Sequence, residues 1–121
     1  MFHSLNIELT FSSLSPNLVI LLVVAGQTTD VLAKIDDFLA KAGTSKSHLL
    51  TASIWLKDIS TDFEPMNAVC NEWLDPLNKP VRATVEANVS GPQILVEIQV
   101  TAATKELTWQ QYKLDLYLNT G

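Results

Sequence analysis

Two stretches in the C-terminal half of the chain alternate so strictly that few folds can use them. In Val81–Val89, Val81, Ala83, Val85, Ala87 and Val89 fall on one side and Arg82, Thr84, Glu86 and Asn88 on the other. Ile94–Ala102 repeats the period, with Ile94, Val96, Ile98 and Val100 opposite Leu95, Glu97, Gln99 and Thr101. A period of two marks a β-strand, because successive side chains leave a pleated backbone on opposite sides. Ser90-Gly91-Pro92-Gln93 between them has the residues of a turn. The pair is therefore expected as a β-hairpin whose apolar face is covered by helices. The other face would carry Arg82, Thr84, Glu86, Glu97 and Gln99. A hairpin pairing Val89 with Ile94 sets Glu97 opposite Glu86, close enough to raise one carboxyl pKa. Arg82 then lies four residues further along, roughly 13 Å at about 3.3 Å per residue. A site using both Arg82 and Glu97 must on this geometry be assembled across a subunit boundary.

Upstream, the period changes. Val31, Leu32, Ile35, Phe38, Leu39 and Ala42 recur at helical spacing among charged residues, which predicts an amphipathic helix over about 28–42. Thr28 or Thr29 is the expected N-cap, and Gly43 sits where a left-handed C-terminal cap is wanted. His48–Lys57 alternates and predicts a strand, with Leu50, Ala52, Ile54 and Leu56 facing opposite to Thr51, Ser53 and Trp55. Asp62 is expected to cap a second helix with Phe63, Met66, Cys70, Trp73 and Leu74 as its stripe. Pro65 would be tolerated in its first turn, where amides lack helical partners.

The run Leu18–Ala25 has eight apolar residues, too few to span a bilayer as a helix. No Lys or Arg precedes it and Glu8 does, so it is expected as a buried strand rather than a leader peptide. The chain of 121 residues, 47% hydrophobic, suits one domain with a real core. A net charge of −5 argues against nucleic acid as a partner, since phosphate binding needs clustered Lys and Arg. The single cysteine, Cys70, excludes an internal disulfide and fits a reducing, cytoplasmic compartment. It falls on the apolar stripe, as an inert core thiol would. His3 and His48 have no partners at metal-ligand spacing, and neither a metal nor another cofactor is expected. Nucleotide-binding glycine loops and nucleophilic Ser/His/Asp patterns are not found.

The run from Val31 to Ala87, with Ala42-Gly43, "WLKD", "DFEPMN" and "KPVRATVEA", followed by "VEIQVTA", resembles the RidA/YjgF family of reactive intermediate deaminases, nearest its short YoaB-like subgroup. The resemblance covers about residues 27–103. It implies an α+β sandwich of chorismate mutase type, with a mixed sheet of about six strands and two helices on one face. It also implies a homotrimer with clefts between subunits, and hydrolysis of 2-imino acids and their enamine tautomers to 2-keto acids and ammonia. Arg82 matches the arginine that holds the substrate carboxylate, which its planar fork can do with two hydrogen bonds. Glu97 matches the glutamate that activates water, Asn67 an asparagine near the site, and Thr84 stands where archetypal members have cysteine. Residues 1–26 hold no match to the family's substrate-facing tyrosine or serine, and "GQTTDVLAKID" fits the start of the first helix. The alternative is a non-catalytic trimer that binds a small carboxylate-bearing metabolite.

Residues 104–121 continue beyond the family pattern. Tyr112, Leu114, Leu116 and Leu118 alternate, which predicts a strand over about 111–118, with a short helix over 105–112 as the alternative.

Overall fold

The computed structural model describes residues 3–10, 23–89 and 91–104. The elements run β1 (His3–Thr10), α1 (Val24–Lys41), β2 (Leu49–Leu56), α2 (Ile59–Trp73), β3 (Val81–Glu86) and β4 (Val96–Thr104). The strands form a four-stranded sheet in the order β1-β4-β2-β3 among the described residues. β4 runs antiparallel to β1 and β2, and β3 runs parallel to β2. This is a mixed α+β sandwich. Of the strand expected over Leu18–Ala25, residues 18–22 lie outside the described residues, and its last three are not strand, because Val23 is the N-cap of α1 and Val24 and Ala25 begin its first turn. The strand expected over 111–118 lies outside the described residues.

One face of the sheet makes the core. Leu5 and Ile7 of β1, Ala52, Ile54 and Leu56 of β2, and Val96, Ile98, Val100 and Ala102 of β4 are buried. Val31, Leu32, Ile35 and Leu39 of α1 and Met66 and Cys70 of α2 close over them. Burying each large aliphatic side chain contributes about 1.5–3 kcal/mol.

The helix ends differ from the sequence expectation. α1 begins four residues early, at Val24, so Thr28 and Thr29 lie inside it. Their hydroxyls donate back to the carbonyls of Val24 (2.7 Å) and Ala25 (2.9 Å), so neither is a cap. Asp58, not Asp62, caps α2, its Oδ1 accepting from the amides of Ser60 and Thr61. Pro65 is thereby the seventh helical residue, past the first turn, and costs the Thr61 carbonyl its donor. Pro65 is exposed, where water can solvate that carbonyl. A backbone bulge between Leu49 and Thr51 turns Leu50 out to solvent and buries Leu49 in its place.

The expected hairpin does not form. β2 lies between β3 and β4, because the chain uses α2 to cross from β2 to a parallel neighbour and then returns on the far side of β2. Alternation reveals two faces but not which strand lies alongside. The faces also separate. Arg82 pairs with Ala52, Thr84 with Ile54 and Glu86 with Leu56, so these three stand on the helix side. Val81 (76% exposed) and Val85 (49%) lie on the open side with Trp55. β3 is the edge strand, and α2 meets it with polar groups rather than with its apolar stripe.

Gly43 is the expected cap, at φ +76°. Its amide donates to Ala40 and that of Thr44 to Leu39, the paired bonds of a Schellman ending. A Cβ at Gly43 would meet nothing within 4 Å. Gly43→Ala should therefore cost only the backbone penalty, about 1–2 kcal/mol. Urea unfolding should show a lowered midpoint with an unchanged slope, and an unchanged midpoint would contradict the assigned ending.

Candidate functional site

β3 is fastened to α2 at two points. The Glu86 carboxylate accepts from the Ile59 amide at 3.0 Å, at the start of the helix. Arg82 donates through Nη2 to Oδ1 of Asn67. Four residues of strand separate Arg82 from Glu86, about 13 Å. Eight residues of helix separate Ile59 from Asn67, about 12 Å. The two lengths match, so α2 can lie antiparallel along β3 and satisfy both contacts at once. Thr84 stands half-buried between them on the same side.

The environment of Arg82 is unusual. Its Nη1 is shielded from solvent and donates to no acceptor among the described residues. No carboxylate pairs with it among the described residues. The Cys70 thiol lies beside the guanidinium. Burial pushes that thiol up to about 11, against a smaller opposite pull from the charge and hydrogen bonding of Arg82. The thiol is therefore neutral at pH 7 and does not compensate the arginine. A guanidinium with an unspent donor and no counter-ion among the described residues is suited to an anion.

Glu97 is elsewhere. It pairs in register with Trp55, which pairs with Val85, so all three stand on the open face. Arg82 is three residues from Val85, and two strand spacings separate β3 from β4. Its Cα therefore lies about 14 Å from that of Glu97, with the two side chains leaving opposite faces. Arg82, Asn67 and Thr84 are brought together within one chain, and Glu97 is not among them. Glu86 and Glu97 are likewise on opposite faces with β2 between, so the expected carboxylate pair does not exist within one chain.

Two contributing residues escaped the sequence reading. The sequence reading sets Glu86 opposite Glu97 as half of a carboxylate pair, and only the crossover shows it accepting from the first amide of α2 instead. Gln27 is 1% exposed. Its Nε2 donates to the Gln93 carbonyl (2.9 Å), and its Oε1 accepts from the Leu95 amide (2.8 Å). The clip ties α1 to the segment entering β4, two residues before Glu97. A glutamine on an amphipathic helix carries no local sign of such a contact.

An open cleft of about 470 Å³ lies where the two helices start, between Val24, Asp58, Asp62, Pro65 and Leu95. Burial holds the Asp62 carboxyl above its ordinary range, with the charge of Asp58 adding to the effect, while hydrogen bonds from Ser60 and Thr61 hold that of Asp58 below. Arg82, Thr84, Asn67 and Glu97 do not line this cleft. Among the described residues, no group of three His, Cys, Asp or Glu side chains is placed to hold a metal ion, and no helix is long and apolar enough to cross a membrane.

Comparison with known proteins extends the match beyond the motifs. The family model for endoribonuclease L-PSP matches residues 13–104. A RutC family protein of Haemophilus influenzae is 42% identical over 92 residues, covering 76% of this chain and 78% of the relative. A RutC family protein of Haemophilus ducreyi is 44% identical over 77 residues, and the chain spans just under two thirds of that relative's length, 65%. The RutC family protein YoaB of Escherichia coli is 43% identical over 77 residues, 64% of this chain and 67% of the relative. Among solved structures, a YjgF family member from Neisseria meningitidis superposes with a TM-score of 0.68 at 42% identity, over 71% of each chain.

Replacing Gln27 by Leu keeps its bulk but strands the Leu95 amide and the Gln93 carbonyl. The expected loss is about 1–3 kcal/mol in urea unfolding. A variant as stable as the parent would show that the clip carries no net stability.

Proposed function

The chain belongs to the endoribonuclease L-PSP family, as a RidA/YjgF-like protein of the YoaB type, and from that membership we propose that it is a reactive intermediate deaminase. The reaction is hydrolysis of a 2-imino acid, or of the enamine that tautomerises to it, to a 2-keto acid and ammonia. The observation that carries this reading is the half-buried Arg82 guanidinium, with Nη1 unspent and no carboxylate partner among the described residues. Such a group binds a substrate carboxylate by charge-assisted hydrogen bonds.

The chemistry then needs one proton-transferring group. Water adds its oxygen to the imine carbon and gives a proton to Glu97, which passes it to the nitrogen. Glu97 then takes the hydroxyl proton of the tetrahedral adduct and delivers it to the amine nitrogen, the carbon–oxygen double bond forms, the carbon–nitrogen bond breaks and ammonia leaves. No redox partner, metal or cofactor is required. Thr84 lends a backbone amide to the carboxylate. Because Glu97 and Arg82 leave opposite faces of one sheet, the reading takes them from two copies of the chain, in a homotrimer with clefts between subunits. The exposed Val81 and Val85 beside Trp55 give the open face the apolar surface a second copy would cover. From the same membership we read each chain as a chorismate mutase type fold with a sheet of about six strands, in a cytoplasmic protein.

A second reading, a non-catalytic trimer that binds small carboxylates through Arg82, draws on Thr84 standing where archetypal members have cysteine. Imine trapping separates the two. The protein is added to an amino-acid oxidase reaction containing semicarbazide. Deaminase activity lowers the semicarbazone formed, and Arg82→Ala abolishes the effect. Unchanged trapping beside measurable keto-acid binding would overturn the enzyme in favour of the binder.

A further inference from the structure

Arg82 is the only arginine in the chain, and what holds it decides what it can bind. A guanidinium offers five donors in one plane. Asn67 takes one of them, on Nη2, with a neutral oxygen. A carboxylate in that position would hold the fork equally well but cancel its charge. The amide holds it and leaves the charge uncompensated. Asn67 itself is set in place from a distance, because Glu86 holds the first amide of α2 and so fixes the helix along β3. The Cys70 thiol, one helical turn beyond Asn67, is protonated at neutral pH and adds no negative charge. Each neighbour described here constrains the guanidinium without neutralising it.

We propose that Asn67 is a positioning residue rather than a substrate ligand, orienting the half-buried Arg82 guanidinium so that its remaining donors meet the carboxylate of a 2-keto or 2-imino acid. Its Oδ1 is spent on Arg82, so it acts on the substrate through that arginine. The inference rests on the reading of Arg82 as the carboxylate-binding group. It assigns carboxylate affinity to a pair, one residue from the strand and one from the helix, rather than to the arginine alone.

The experiment uses the full chain, with 2-ketobutyrate as probe, in four forms: the parent, Arg82→Ala, Asn67→Ala and Asn67→Asp. Calorimetric titration, thermal melting and side-chain NMR with labelled arginine are compared. With one arginine present, every guanidinium signal belongs to Arg82. In the parent, without ligand, the Nη protons should be resolved, because Asn67 restrains the group. In Asn67→Ala they should merge, and binding should weaken about tenfold, the loss expected for one hydrogen bond to a charged group. Asn67→Asp should melt no lower than the parent, because it forms an ion pair, yet should bind at least tenfold more weakly. Gained or kept stability with lost affinity is not what a purely structural contact produces. If Arg82→Ala loses binding while both Asn67 variants bind as the parent does, the positioning inference fails alone. If the parent and Arg82→Ala bind alike, the reading of Arg82 itself fails.

Discussion

The attachment of the edge strand β3 to α2 is the contact on which the candidate site depends. β3 has one strand neighbour among the described residues, β2, and its outward valines face away from the core. Its backbone pairs with β2 along Val81–Glu86, and on the helix side two polar contacts tie it to α2, Glu86 to the Ile59 amide and Arg82 to Asn67. Hydrogen bonds to charged groups are worth about 1.5–3 kcal/mol each when both partners are held, and here the strand and helix repeats bring both into reach together. The same contacts that tie β3 to α2 also aim the guanidinium. Stability and binding therefore draw on one set of atoms.

The sheet divides the chemistry. Its helix side holds the group suited to an anion, and its open side holds Glu97 with Trp55. No side chain can reach round a sheet, so a site needing both groups needs two copies. A single chain is then a holder of half-sites, and the oligomer is part of the catalytic proposal rather than an addition to it. Gln27 serves this arrangement from the core, because its two bonds fix the chain just before Glu97 leaves the open face.

Much of this was legible from residues alone. The helical stripes, the strand faces of Ala52, Ile54 and Leu56 and the Gly43 ending follow from local spacing, the placing of Gly26-Gln27 in the first helix follows from the family resemblance, and the structure has them all. The family motifs were legible too, because several short patterns occur in order. Pairing was not. Val81–Val89 and Ile94–Ala102 flank a short turn, which favours a hairpin locally, yet a parallel crossover through α2 puts β2 between them. The face of Arg82 is not legible in the alternation for a related reason. In a central strand the apolar side faces the helices, but an edge strand met by a helix through polar contacts reverses that order. Asp62 stands closer to the apolar stripe and so reads as the cap, although it is Asp58 that accepts from the Ser60 and Thr61 amides.

The central claim, that one site takes its arginine from one copy and its glutamate from another, can be tested by mixing two inactive proteins. Arg82→Ala and Glu97→Ala are prepared separately, unfolded together and refolded as mixed assemblies, and imine hydrolysis is then measured. Recovery of a fraction of the parent activity, absent when either variant is refolded alone, is the predicted result. Folded mixed assemblies that stay inactive, beside an active parent refolded in the same way, would contradict it.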